Sequence, residues 1–169
     1  MLIFSTRLGS RGGSEAVYDL LKYAYWQRYA GEFPEIKKTP NGKPYFPDRP
    51  DIHFSLSHTM SHVMCAISDR LVGCDIEAAD REVSNRALRF FASSEEQEMF
   101  DPLDLWLLKE SYIKLIGGTL ATIKQQRFQK ESGRIIPPDA SVSAKLYSID
   151  GCRAAVCGIG AISASIELI

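Results

Sequence analysis

The segment WLLKESYIKLIGG, Trp106 to Gly118, constrains this chain more than any other stretch. Most of its residues are apolar, aromatic or small, and a helix apolar almost all round must be covered on several sides. Yet Lys109, Glu110 and Lys114 lie inside it. The rest of the chain therefore has to supply packing layers around the helix and account for three charges within it. Candidate layers are legible. LIFSTRL near the start reads as a strand. IHFSLSH, HVMCAIS and LVGCDIE follow one another as short strand-like runs, with SDR at the second turn, and suggest an antiparallel meander. SAKLYSI, CRAAVCGIG and ISASIEL return to strand-like patterning at the end.

Helical patterning occupies separate stretches. GGS leads into a helix with Ser14 as N-cap, a buried stripe of Val17, Leu20, Leu21 and Ala24, and Gly31 as its stop. SNRALRFFA and SSEEQEMF precede the central helix, and Ser94 with Gln97 has capping-box spacing. Between Glu32 and Asp51, five of the chain's 8 prolines predict an irregular loop. Strands segregated from helices predict an α+β fold. The 169 residues suit one domain or two small subdomains, 1–80 and 81–169, with the boundary between Ala78 and Ser84.

Composition excludes some functions. A 45% hydrophobic content supports a folded core. A net charge of -1 argues against a strong sequence-independent grip on nucleic acid or anionic membrane. Cys65, Cys74, Cys152 and Cys157 form no C-x-x-C pair and read as reduced, mostly buried residues of a cytoplasmic protein, a zinc site being the alternative. The start has too short an apolar run for a signal peptide, and nothing later approaches a membrane span.

Four groups of residues can carry chemistry. Asp75 and Glu77 in VGCDIE share one side of a strand, where a divalent cation would relieve their repulsion. Two solvated charges entering a turn are the plainer reading. Glu110 and Lys114 share a helix face at i and i+4, in the favoured order. With few water-facing positions on that helix, a partly buried carboxylate there needs a lysine or a metal. Ser57 and His58 offer hydrogen-bond groups to an anion at a strand end, with a structural histidine as the alternative. Gly42, Lys43 and Pro44 form a turn from which Lys43 is expected to project.

In this order, GKP (Gly42–Pro44), SLSH (Ser55–His58), GCDIE (Gly73–Glu77), RFFASSE ending at Glu95 and WLLKESYIK (Trp106–Lys114) resemble the 4′-phosphopantetheinyl transferases of the surfactin-synthetase-activating type. The resemblance implies two pseudo-symmetric halves, each a small antiparallel sheet packed with helices. It also implies an N-terminal half shorter than usual, so that either coenzyme A is bound less tightly or Arg7 or Arg11 serves in place of the missing basic contacts. The implied reaction moves the phosphopantetheine arm of coenzyme A onto a serine of an apo acyl or peptidyl carrier protein, releasing adenosine 3′,5′-bisphosphate. Asp75, Glu77 and Glu110 correspond to ligands for Mg²⁺, with Mn²⁺ as alternative. Lys114 corresponds to the pyrophosphate contact; Ser57 and His58 to phosphate contacts, His58 for the 3′-phosphate; Gly42, Lys43 and Pro44 to the adenine-nucleotide cradle; and Lys22 to a basic contact for the 3′-phosphate.

Catalysis is thereby expected from Glu110, Lys114 and Asp75, with Lys109 left as a structural charge. Arg81, Arg86 and Arg89 are candidates to meet an acidic carrier helix, a solvated face being the alternative. A monomer is expected, a dimer being the alternative that the short first half raises. Two rival functions remain: a non-catalytic module that binds coenzyme A or a carrier protein, and a Mg²⁺-dependent pyrophosphate hydrolase.

Overall fold

The computed structural model describes residues 1–9 and 12–169. In chain order the elements are β1 (Leu2–Arg7), α1 (Gly13–Trp26), β2 (Lys37–Lys38), β3 (Pro44–Tyr45), β4 (His53–His58), β5 (His62–Ser68) and β6 (Val72–Ala78). Then follow α2 (Asn85–Phe91), α3 (Ser94–Met99), α4 (Pro102–Ile116), a 3₁₀ turn (Leu120–Gln125), β7 (Gln129–Glu131), β8 (Arg134–Ile136), β9 (Val142–Ile149), β10 (Cys152–Ile159) and β11 (Glu167–Leu168). The fold is α+β, with small sheets packed against helices. One sheet has the order β11-β1-β5-β4 and a second has β6-β10-β9; two short hairpins, β2-β3 and β7-β8, stand apart.

Strand alternation builds the layers. Val63, Cys65 and Ile67 of β5 face the α1 core with Phe4, Leu21 and Tyr25. Met64 and Ala66, pointing the other way, pack with Val72, Cys74, Ile76, Ala154 and Val156 of the second sheet. Ala155 and Cys157 on the opposite side of β10 meet α4 through Leu107, Leu108 and Ile113. The sheets therefore lie against one another, with α1 outside one and α4 outside the other. All four cysteines are free and buried. Among the described residues, no helix is long and apolar enough to cross a membrane.

Several local expectations need correction. β6 does not extend a meander: it leaves β5 and pairs antiparallel with β10, from Val72↔Gly158 to Ala78↔Cys152. Side chains make its junction with β4 instead, as the Ser55 hydroxyl accepts from the Cys74 amide at 2.9 Å. α1 is capped by Gly12, not Ser14, with no side-chain bond, and it ends at Gln27, well before Gly31. Past that end, Tyr25 packs against Tyr29, Phe33 and Phe46, which turns the chain back early. The capping box lies one residue earlier than expected, on Ser93 and Glu96. The loop after α1 contains the β2-β3 hairpin. Of ISASIEL, only Glu167–Leu168 forms a strand, parallel to β1.

Glu96 also explains Lys109. Both side chains are fully buried, with Nζ 2.8 Å from Oε1. The carboxylate accepts further bonds from the amides of Ser93 and Phe128, and Nζ also donates to the Ile123 carbonyl at 3.4 Å. A buried pair is tolerated only when its remaining valences are satisfied this way.

Removing one partner strands the other in the core, so Lys109→Met should lower unfolding free energy by about 3–5 kcal/mol. Denaturant titration checks this, and adding Glu96→Gln should recover part of the loss. A second expectation concerns Gly73, where a Cβ would lie 1.9 Å from the Ser111 carbonyl oxygen and 2.4 Å from the Leu115 amide nitrogen. Since backbone cannot step aside cheaply, Gly73→Ala should cost at least about 1–3 kcal/mol in the same measurement.

Candidate functional site

The missing side chain at Gly73 lets the backbone of α4 rest on β6. Asp101 caps the helix by accepting from the Leu103 and Asp104 amides, and Gly117 ends it at φ 66. Between these limits the crossing sets the chemistry. Lys114, in the last turn, places Nζ 2.7 Å from Asp75 Oδ1 and 3.1 Å from Ser57 Oγ. The Ser57 hydroxyl itself donates to Asp75 Oδ1 at 2.7 Å. One helix and two strands from different sheets thus converge on one carboxylate oxygen. Burial is the largest single influence on the Lys114 ammonium and opposes it, but the Asp75 charge and hydrogen bond, with Cys74 and Glu110, together outweigh it and the pKa is raised.

Glu110, one turn earlier, is partly buried. Burial, and then the Asp75 charge, push its carboxyl above the ordinary range, against the pull of Lys114 and Arg81. Glu77, two residues along β6 from Asp75, pairs with Arg81. Arg81 in turn lies over the Trp106 ring, 5.3 Å from its centroid. Glu77 and Asp75 therefore share a side of β6, as expected. The three carboxylates are nevertheless not gathered into a ligand set: among the described residues, no three acidic, histidine or cysteine side chains are arranged to hold a metal ion. Lys114 and Arg81 take up carboxylate oxygens that a metal would need. The donor chemistry is nonetheless that of a hard divalent cation.

Beside Lys114 opens a cleft of about 390 Å³. Its walls are the start of α1 (Ser14, Tyr18), the β2-β3 hairpin (Lys38 to Pro44), the end of β4 and the last turn of α4. Gly42, Lys43, Pro44, His58 and Lys114 all line it. His58 is exposed, and its ring covers the first turn of α1; a Cβ on Gly13 would lie 2.3 Å from His58 Cδ2. Basic side chains and the start of a helix thus face one space, a setting for an anion.

Other candidates stand elsewhere. Ser57 is buried against Asp75 and does not line the cleft. Lys43 does not project from its loop but turns inward, with Nζ 2.8 Å from the Leu115 carbonyl. Lys22 is exposed one helical turn beyond Tyr18, pairs with Asp19 at 3.7 Å, and lies outside the cleft. Arg7 is engaged with Asp150 through two bonds of 2.7 and 2.9 Å; Arg11 lies outside the described residues. Arg86 and Arg89 are exposed on α2. Sequence reading missed Lys38, Ser14 and Tyr18. Ser14 and Tyr18 carry a faint signal, the i, i+4 spacing that gives them one helix face, whereas the strand holding Lys38 is too short for periodicity to register.

No family model matches the chain. Individual proteins do. It is 33% identical over 132 residues to 4′-phosphopantetheinyl transferase Sfp of Bacillus subtilis (strain 168), covering 69% of this chain and 59% of that protein. It is 36% identical over 89 residues to a 4′-phosphopantetheinyl transferase of Bacillus subtilis, covering 47% and 40%. With 4′-phosphopantetheinyl transferase psf-1 of Bacillus pumilus it shares 29% over 156 residues, covering 82% and 67%. The chain spans about half the length of the first two. These likenesses place it among the relatives of the 4′-phosphopantetheinyl transferases of the surfactin-synthetase-activating type.

Burial lowers the Lys43 pKa to about 8, with a small opposing effect from Cys74. The unfolded chain then holds a proton that the folded chain has lost, over the window from about 8 to the ordinary lysine value. Between these limits wild-type stability should rise with pH relative to Lys43→Met, by up to ~3 kcal/mol. Parallel denaturant titrations at pH 7.5 and 10 measure the difference, and a flat comparison would refute it.

Proposed function

We propose that the chain transfers 4′-phosphopantetheine from coenzyme A to a serine of an apo acyl or peptidyl carrier protein, releasing adenosine 3′,5′-bisphosphate. The observation that carries this reading is Lys114, held by Asp75 and Ser57 at the edge of a cleft that His58, Lys38 and the start of α1 also line. Such a cleft suits a ligand with phosphates at both ends of a nucleoside. In this reading His58 meets the 3′-phosphate, the β2-β3 hairpin cradles the nucleotide, and Lys114 meets the pyrophosphate. Phosphoryl transfer asks mainly for positioning and charge stabilisation. Ser57 and Asp75 hold the Lys114 amine in place for both tasks. Glu110, whose carboxyl is raised, accepts the proton of the attacking serine hydroxyl.

Asp75, Glu77 and Glu110 would hold Mg²⁺ or Mn²⁺, which when bound would neutralise pyrophosphate charge. In support, Asp75 and Glu77 share one side of β6, and Glu110 lies within electrostatic reach of Asp75. The proposal includes two pseudo-symmetric halves, 1–80 and 81–169, the first with α1 and the second with α4. Four free, buried thiols suit the reducing cytoplasm. We place the carrier, rather than nucleic acid or membrane, as the partner of a monomer.

The test is direct. Protein, coenzyme A, Mg²⁺ and an apo carrier protein are incubated and the carrier is weighed; a gain of one phosphopantetheine supports transfer. Coenzyme A cleavage without carrier modification would instead support a hydrolase, and binding alone a non-catalytic module. Glu110→Gln should lose about 10²–10⁴ in transfer rate. Because it removes a charge repelled by Asp75, its thermal midpoint should not fall. Wild-type transfer by this variant would remove Glu110 from the chemistry.

A further inference from the structure

The tip of the β2-β3 hairpin is rigidly closed. The Gly42 amide donates to the Thr39 carbonyl at 2.8 Å, the Thr39 amide to the Lys43 carbonyl at 2.9 Å, and the Lys43 amide to Thr39 Oγ1 at 3.1 Å. Gly42 takes φ +85, a conformation that side-chain-bearing residues rarely adopt. Asn41 and Lys43 are thereby set on either side of a fixed turn, and both reach the same target. Asn41 Nδ2 donates to the Gly117 carbonyl at 2.9 Å. Lys43 Nζ donates to the Leu115 carbonyl at 2.8 Å.

The last carbonyls of a helix have no partners inside it. In α4 the Ile113 carbonyl takes the amides of Gly117 and Gly118. Leu115 and Gly117 are served from outside, by the hairpin. An ammonium at this end also suits the helix dipole. Lys114 lies one turn after Glu110 and immediately before Leu115, the first of the gripped carbonyls. Its amine is held by Asp75 and Ser57.

We infer that Asn41 and Lys43 are positioning residues: they grip the end of α4 by two carbonyls and so set where Lys114 stands in the cleft. Lys43 lines that cleft, but its amine is committed to the helix and not offered to a ligand. The kinetic consequence rests on the transfer reading above; the grip itself does not.

The experiment separates the two. In Lys43→Met, which keeps the stem and removes the donor, amide exchange from Lys114 to Gly118 should accelerate about tenfold. The rate constant for transfer should fall about tenfold, while coenzyme A affinity by calorimetry shifts less than about threefold. Lys43→Arg should restore most of the protection and rate, since it keeps a charged donor. Asn41→Ala, at an exposed turn, repeats the exchange test where Lys43→Met fails to fold. Asn41→Asp should exceed it, because a carboxylate then faces the Gly117 carbonyl. Wild-type exchange in both Lys43→Met and Asn41→Ala would overturn the inference. So would a Lys43→Met variant whose coenzyme A affinity drops more than about tenfold with exchange unchanged, which would make Lys43 a ligand contact. A wild-type protein that transfers nothing ends the transfer reading, and the exchange result still decides the grip.

Discussion

The contact on which this structure depends is the approach of α4 to β6 at Gly73. No side chain fits between them, since a Cβ there would lie inside the van der Waals radii of the Ser111 and Leu115 backbone. The helix therefore lies directly on the strand, and its polar residues are delivered at short range. Glu110 and Lys114 each immediately precede one of the two contact residues, Ser111 and Leu115, and Asp75 follows Gly73 by two residues on the same side of the strand. A larger residue at 73 would lift the helix and lengthen the 2.7 Å contact between Lys114 and Asp75. Packing and chemistry are consequences of one steric fact.

A second constraint is the seam between the sheets. Strands β4 and β6 adjoin, yet no backbone ladder joins them. Ser55 and Ser57, alternating along β4, supply the missing bonds: one accepts from the Cys74 amide, the other donates to the Asp75 carboxylate. The two serines of SLSH thus stitch the sheets, while His58 turns outward to the cleft. Buried polar groups at a seam need partners, and here each partner belongs to the other sheet.

Much of this was legible in the chain. The apolar character of Trp106–Gly118 requires burial, and α4 is buried on nearly every side. Two-residue periodicity located β4, β5 and β6 to within a residue or so. The ordered motifs marked Asp75, Glu110 and Lys114 as candidates for one site, but not the ion pair that Lys114 makes with Asp75. The failures have physical causes. Strand pairing is not encoded by periodicity, so the departure of β6 to β10 was invisible. The capping box of α3 lies one residue early, where Glu96 both closes the box with Ser93 and meets Lys109 from another helix. Lys43 looked like a loop cation because nothing in NGKP indicates that a helix end lies above it.

Taken by itself, the sequence determined the local facts: where the main helices and the longer strands lie, which faces are apolar, that a glycine stands at 73, and that acidic and basic residues recur in a fixed order. These follow from short-range sterics and side-chain periodicity, which act within a few residues. Tertiary structure alone decided which strands pair, that Lys109 meets Glu96, that Arg81 and Lys114 occupy the carboxylates of Glu77 and Asp75, and that the hairpin grips α4. Those side-chain contacts join residues 4 to 76 positions apart, and the longer ones depend on the layers that burial of three apolar clusters holds together.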